Sequence, residues 1–350
     1  MGSKIVRGYF PSRIARRTVV TVNFSRPFRS LIRAILAAGV LALGAATAPV
    51  AAAPDAPDSV TIAYQPGIGY ANLIVIKEQR TLEKQFPKTT FTWKVLSNGA
   101  VIRDGIIANH IQIGAGGVGP FLIGWDRGVG YQLISALNEM DLWLVTRDAS
   151  IHSLKDIKPG MQIGMPGPDS IQAIALRKGA EMQLGNAHAL DSNIVAIAHP
   201  VGLQALEHGQ LVLHLSSPPF EFEEVKDGGH IVFRSYQAFG PSTFNSVFST
   251  TAFYNAYPKF VDVFYKDLQD ATNYINHDTV GAAKLLSDDT AGKVSAAQFE
   301  GWMTHKEITY TTTPHGFGAY AKFMQSIGLL SKTPASMKDL ELPTLAGTGS

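Results

Sequence analysis

Val60-Thr61-Ile62-Ala63-Tyr64-Gln65-Pro66-Gly67 is a β-branched and aromatic run stopped by a Pro-Gly turn, and a helix-like pattern over 70–84 follows at once. The same unit recurs. Thr90-Phe91-Thr92-Trp93-Lys94-Val95-Leu96 ends at Ser97-Asn98-Gly99 and leads into a helix over 100–108. Ile111-Gln112-Ile113-Gly114 is a third strand, Gly119-Pro120 opens a third helix, and Tyr131-Gln132-Leu133-Ile134 is a fourth strand. Short strands alternating with helices of about ten residues predict a parallel sheet covered by helices.

Leu142-Trp143-Leu144-Val145 starts a second series of the same kind. Its strands are predicted at 162–165, 194–197 and 211–214. Its helices fall at 170–179, capped by Asp169 or Ser170, and around 201–208. Ser216-Ser217-Pro218-Pro219 breaks the pattern, and after Phe248 the chain reads as helical. Pro258 sits at a helix start, and Val261, Phe264, Leu268, Ala271 and Ile275 follow at 3-4-3-4 spacing. Two α/β lobes, with the C-terminal helices packing back on the first, satisfy this order.

The first 53 residues read as a leader. Lys4, Arg7, Arg13, Arg16, Arg17, Arg26, Arg29 and Arg33 carry all of its charge, an apolar run over 34–50 follows, and Val50-Ala51-Ala52-Ala53 offers a cleavage site. A membrane anchor is the competing reading, but the run is rich in Ala and Gly and lacks a basic flank after Pro54. Removing those eight basic residues from the 30 Lys and Arg leaves 22 against 28 Asp and Glu, a charge near −6. The body is therefore mildly acidic and offers no footprint for nucleic acid. There are no cysteines. That removes disulfides, thiolate metal sites and the attachment residue of a lipoprotein, and a periplasmic protein folded on its core alone is expected.

In a parallel sheet the carboxyl ends of the strands share one edge, so the turns that follow them converge on one crevice. Backbone N–H groups near Gly67, Gly99, Gly119 and Ser170, with Gln65, Asn98, Pro120 and Gly167 beside them, are the candidate holders of an anionic head. Tyr70, Phe121 and Phe220 are the candidate walls for an organic body, with Tyr64 and Trp125 nearby in sequence. Turn geometry alone also places Gly and Ser at such ends.

Residues 114–119, Gly-Ala-Gly-Gly-Val-Gly, match the dinucleotide fingerprint, with Glu139 about twenty residues on. The alternative they raise is an exported, nucleotide-cofactor-dependent enzyme. The leader and the complete βαβ unit that precedes the motif favour a ligand-facing strand end instead, with no cofactor. No metal is expected from the ten His residues, which show no ligand spacing; His199, His208 and His214 read as surface or satisfied core residues. There is no Gly-x-Ser-x-Gly elbow, and Pro120-Phe121 stand where a P-loop needs Lys and Ser or Thr.

Taken together, several stretches resemble the solute-binding proteins of nitrate, sulfonate and taurine-type ABC transporters. They are residues 60–66, 111–120, 151–160 (Ile-His-Ser-Leu-Lys-Asp-Ile-Lys-Pro-Gly), 200–209, 323–330 and 334–340. The resemblance implies a two-lobed type II periplasmic binding protein fold, with doubly wound sheets joined by two crossover strands. The lobes would be 59–141 with 246–345, and 142–245, after a signal peptide over 1–53. It further implies a monomeric, non-enzymatic protein that holds a small anionic solute, sulfonate- or carboxylate-like, and hands it to permease and ATPase subunits. Gln112, Lys158-Pro159-Gly160-Met161 and Val212-Leu213-His214 depart from the family's usual residues, so nitrate and taurine are not carried over as ligands.

Overall fold

The computed structural model describes residues 55–343 and 349–350, so the leader lies outside the described residues. Among the described residues, no helix is long and apolar enough to cross a membrane.

The chain opens with β1 (Ser59–Tyr64), a 3₁₀ turn at Ile68–Tyr70, α1 (Ala71–Gln79) and α2 (Thr81–Gln85). It continues through β2 (Thr90–Val95), α3 (Gly99–Ile107), β3 (Ile113–Gly117), α4 (Val118–Asp126) and β4 (Tyr131–Ala136). After β5 (Asn138–Met140) come β6 (Trp143–Thr146), β7 (Ile163–Met165), α5 (Ile171–Leu184), β8 (Ile194–Ala196) and α6 (His199–Glu207). Then follow β9 (Leu213–Leu215), α7 (Phe220–Lys226), β10 (His230–Arg234) and α8 (Ser235–Phe239). The last part is β11 (Asn245–Thr250), α9 (Thr251–Ala256), α10 (Pro258–His277), α11 (Thr279–Asp289), α12 (Ala296–Met303), β12 (Ile308–Tyr310) and α13 (Phe317–Ser326).

The strands form two five-stranded sheets, ordered β2-β1-β3-β11-β4 and β10-β6-β9-β7-β8, plus the pair β12-β5. The sheets are mixed rather than wholly parallel. β11 runs antiparallel to β3 and β4, and β6 runs antiparallel to β9 and β10. Both reversals have one cause. β6 and β11 are the first sheet strands after the chain crosses from one half to the other. Each starts at the edge where the preceding strand ended, so it must run away from that edge. The two crossings are tied together: Phe244 N donates to Asn138 O at 3.1 Å, and Ser235 N donates to Leu142 O at 2.8 Å.

Each half is closed by apolar faces. In α10, Phe260, Val261, Phe264, Leu268, Ala271 and Ile275 are buried, as their spacing requires, and the helix packs on α1 and β4. The predicted helix over 70–84 is two helices, because Arg80 is left-handed at φ 54° and ends α1. The third and ninth strands begin at Ile113 and Leu213, two residues later than their apolar runs suggest. Two further strands and two helices occupy 220–250, where the broken pattern around Pro218 left none visible.

Candidate functional site

The carboxyl ends of β1, β3 and β7 meet the second crossing around a cavity of about 20 Å³, room for roughly one water. Gln65, Tyr70, Gly99 and Pro120 line it from the first half. Pro166, Ser170, Ile171, Gln172, His199 and Ser217 line it from the second, and Phe244 and Asn245 from the crossing. None of its lining residues is Lys, Arg, Asp or Glu.

Neutral hydrogen bonds hold this wall in place. Gln65 Nε2 donates to Tyr70 Oη at 2.8 Å, and Tyr70 Oη donates to Asn245 Oδ1 at 3.0 Å. Burial pushes the Tyr70 phenol up, so it stays a donor. Asn138 Nδ2 donates to Gly69 O at 2.6 Å beneath them. Opposite, Ser170 caps α5: its Oγ accepts from Ala173 N at 3.2 Å and donates to Gly167 O at 2.7 Å. Asn98 caps α3 in the same way, accepting from Val101 N at 3.0 Å. The amino-termini of α3, α4 and α5 therefore converge on the cavity, through Gly99, Pro120 and Ser170. A negative charge placed there is favoured by their dipoles.

The candidate residues separate into three groups. Gln65, Tyr70, Gly99, Pro120 and Ser170 line the cavity. Asn98 and Gly167 stand one contact behind it, as cap and as acceptor for Ser170. Gly67 and Phe220 line a second cavity of about 270 Å³, which shares Gln65 and Pro66 with the first. Tyr64, Ile68, Phe299 and Trp302 are among its apolar lining residues, and Asp289 is its one charged one.

Two expectations fail. Phe121 is fully buried in the first half, with its ring 5.4–6.0 Å from those of Phe248, Phe317 and Tyr131. The α4 residues Pro120 and Phe121 point to different sides, and only the former reaches the cavity. Gly119 does not line the cavity either. A Cβ there would stand 2.4 Å from Ile174 Cδ1 and 2.8 Å from Asp169 O, so Gly119 serves the close approach of α4 to the second half. Trp125 lies elsewhere, under Lys332 and bonded to Asp339 O.

His199 is a buried, hydrogen-bonded residue, as expected, and it also lines the cavity, with its ring stacked 5.7 Å from that of Phe220. Gln172 Nε2 lies 3.1 Å from His199 Nε2, and His199 Nδ1 lies 3.3 Å from His214 Nε2. Burial, then the neighbouring His214, pushes His199 well down, and burial lowers His214 to about 3, so both rings are neutral at pH 7. His208, by contrast, is exposed.

The fingerprint at 114–119 is not a nucleotide loop. Residues 114–117 are buried strand, and a Cβ on Gly114 would stand 2.6 Å from Ile102 Cγ2. Glu139 lies on β5 and is bonded to His315.

No family model matches the chain, and no curated protein matches it in sequence. Solved structures do. The alkanesulfonate-binding protein SsuA from Xanthomonas axonopodis pv. citri, bound to MOPS, has a TM-score of 0.66 at 19% identity, over 79% of this chain and 95% of that one. The aliphatic sulphonate-binding protein SsuA from Escherichia coli has a TM-score of 0.60 at 16% identity, covering 79% and 95%. The nitrate-binding protein NrtA from Synechocystis PCC 6803 has a TM-score of 0.63 at 12% identity, covering 81% and 84%. These neighbours fall in the group that the sequence resembles. At such identities they establish the fold, the two-lobed α/β fold of periplasmic binding proteins.

Proposed function

We propose, from that fold as premise, that this is the extracytoplasmic solute-binding component of an ABC importer, taking a small organic anion of sulfonate or carboxylate type. The observation that carries the reading is the paired cavity. A small polar chamber free of Lys, Arg, Asp and Glu lies at three helix amino-termini, and an apolar chamber of about 270 Å³ adjoins it at Gln65 and Pro66. The first has room for about one water as it stands and takes an anionic head as the lobes part, held by neutral donors; the second takes an organic body against Tyr64, Phe220 and Trp302. Nitrate would use only the first.

The lobes in this reading are 59–141 with 246–345, and 142–245, behind a cleaved leader over 1–53. A solute that contacts both lobes favours closure by a population shift, and the closed monomer then engages a permease and its ATPase. The protein performs no chemistry on the solute. Micromolar affinity needs about 8 kcal/mol, within reach of a few buried hydrogen bonds and an enclosed apolar surface.

A thermal-shift screen against nitrate, alkanesulfonates, taurine, and aliphatic and aromatic carboxylates tests this. Stabilisation by alkanesulfonates or carboxylates, growing with chain length, is expected, since a ligand of the folded state must stabilise it. Stabilisation by nitrate alone, or by none of them, would overturn the organic-anion reading.

A further inference from the structure

Behind the second half's cavity wall, a line of buried side chains runs from α5 to α7. His199, His214 and Glu224 are 7%, 0% and 1% exposed. Gln172 meets His199 Nε2, His199 Nδ1 meets His214 Nε2, and His214 Nδ1 meets Glu224 Oε1. Ser216 Oγ donates to Glu224 Oε2 at 3.2 Å. All four ring nitrogens are committed within this line, so donors and acceptors along it must alternate.

Two alternations are possible. With Glu224 ionised, its Oε1 accepts from His214 Nδ1–H, His214 Nε2 accepts from His199 Nδ1–H, and His199 Nε2 accepts from Gln172 Nε2–H, which leaves the Gln172 oxygen for the cavity. With Glu224 protonated, its O–H donates to His214 Nδ1. His214 Nε2–H then donates to His199 Nδ1, and His199 Nε2–H donates to the Gln172 amide, which turns its Oε1 toward the ring to accept and its NH2 toward the cavity. One proton at Glu224 thus reverses the polarity of a cavity residue two hydrogen bonds away. We propose that Glu224 is a positioning residue that sets, through His214 and His199, whether Gln172 presents its NH2 or its oxygen to a bound solute, so that the site favours anions while Glu224 carries a proton.

The surroundings support a protonated carboxyl. Burial first, and the facing Glu207 of α6, push Glu224 up to about 9, against the hydrogen bond from Ser216. On α7, Glu221 is also buried, and Glu223 is engaged with Trp302 and Lys226. β6 carries no ionisable side chain. In β10, His230 is bonded to Ile151 O, and Arg234 to Asp141 and Glu307. Among the described residues no Lys or Arg pairs with Glu224; its carboxyl meets the neutral His214 ring and the Ser216 hydroxyl.

The affinity part of this inference rests on the anion-binding reading, and the polarity part does not. The test therefore has two readouts on the full-length protein. The first is the ¹⁵N spectrum of the histidine rings against pH, without added solute. His199 and His214 are expected to exchange tautomers together near the Glu224 titration. Glu224→Gln should abolish that transition, and Ser216→Ala, which removes a bond to the carboxylate, should move it to higher pH. Tautomers that do not change with pH, or a transition that persists in Glu224→Gln and ignores Ser216→Ala, would overturn the relay. The second readout is calorimetric binding of ethanesulfonate. Affinity should fall up to about tenfold per pH unit above the transition in the native protein and stay level in Glu224→Gln. Equal affinity across the transition would disconnect the relay from the site. Failure of ethanesulfonate to bind at any pH would remove short sulfonates from the solute reading, while the ring spectra would still decide the relay.

Discussion

Arg103 Nη1 stands 2.7 Å from Asp169 Oδ2, an ion pair that joins α3 of the first half to the turn ahead of α5 in the second. Its side chains are 10% and 25% exposed, so solvent screens it only in part.

Arg103→Ala and Asp169→Asn should each favour the open arrangement of the lobes, by about 1 kcal/mol, which is roughly fivefold in the closed-to-open ratio. Small-angle scattering should show a larger radius of gyration for either variant, and little further change in the double variant. Identical scattering from the native protein and both variants would mean that the pair does not bias closure.

Ser170→Ala removes the cap of α5 and a polar group of the cavity wall together. Stability to urea should drop by about 1 kcal/mol. Anion affinity, measured well below the denaturation midpoint, should fall as well. A stability loss with unchanged affinity would leave Ser170 as a cap alone.

Phe121 and Phe220 separate core from cavity. Phe121→Ala should cost about 3–5 kcal/mol of folding stability, because the ring is enclosed by Tyr131, Phe248 and Phe317. Phe220→Ala, at the rim of the larger chamber, should cost far less stability and weaken long-chain anions more than short ones. Thermal unfolding and a chain-length series distinguish the two.

Folding stability should depend on pH through the same buried line. The Glu224 carboxyl rises from 4.5 to about 9 on folding, so the folded state keeps a proton that the unfolded chain loses. Its contribution is full below pH 4.5 and is lost as pH rises toward 9. His214 falls from 6.5 to about 3, so its contribution is full above pH 6.5 and is lost on acidification. Between pH 6.5 and 9 only Glu224 of the two titrates. Stability should decline there by at most about 1.4 kcal/mol per pH unit, and Glu224→Gln should flatten that decline. Denaturant midpoints measured across the range check the sign.

Much of the fold was legible because its signals are local. The turn at Pro66-Gly67, the cap at Ser170, and the apolar spacing of α10 each lie within a few residues of what they specify. The convergence of Gln65, Gly99, Pro120 and Ser170 followed from strand direction, since parallel strands carry their turns to one edge. Where a side chain points within such a turn did not follow. Pro120 and Phe121 are adjacent, and one reaches the cavity while the other fills the core. Gly119 looked like a ligand turn and is a contact between halves.

The sequence by itself determined the alternation of strand and helix, the placing of helix amino-termini at strand ends, and the mildly acidic, cysteine-free character of the body. Only the tertiary structure decided that β6 and β11 run against their sheets, that Asn245 meets Tyr70 across 175 residues of chain, and that the buried His199 also lines the cavity. The physical reason is range. Periodicity, caps and turns are set by neighbours along the chain, whereas a binding cavity between two lobes is made of contacts whose partners the chain brings together only when both lobes have folded.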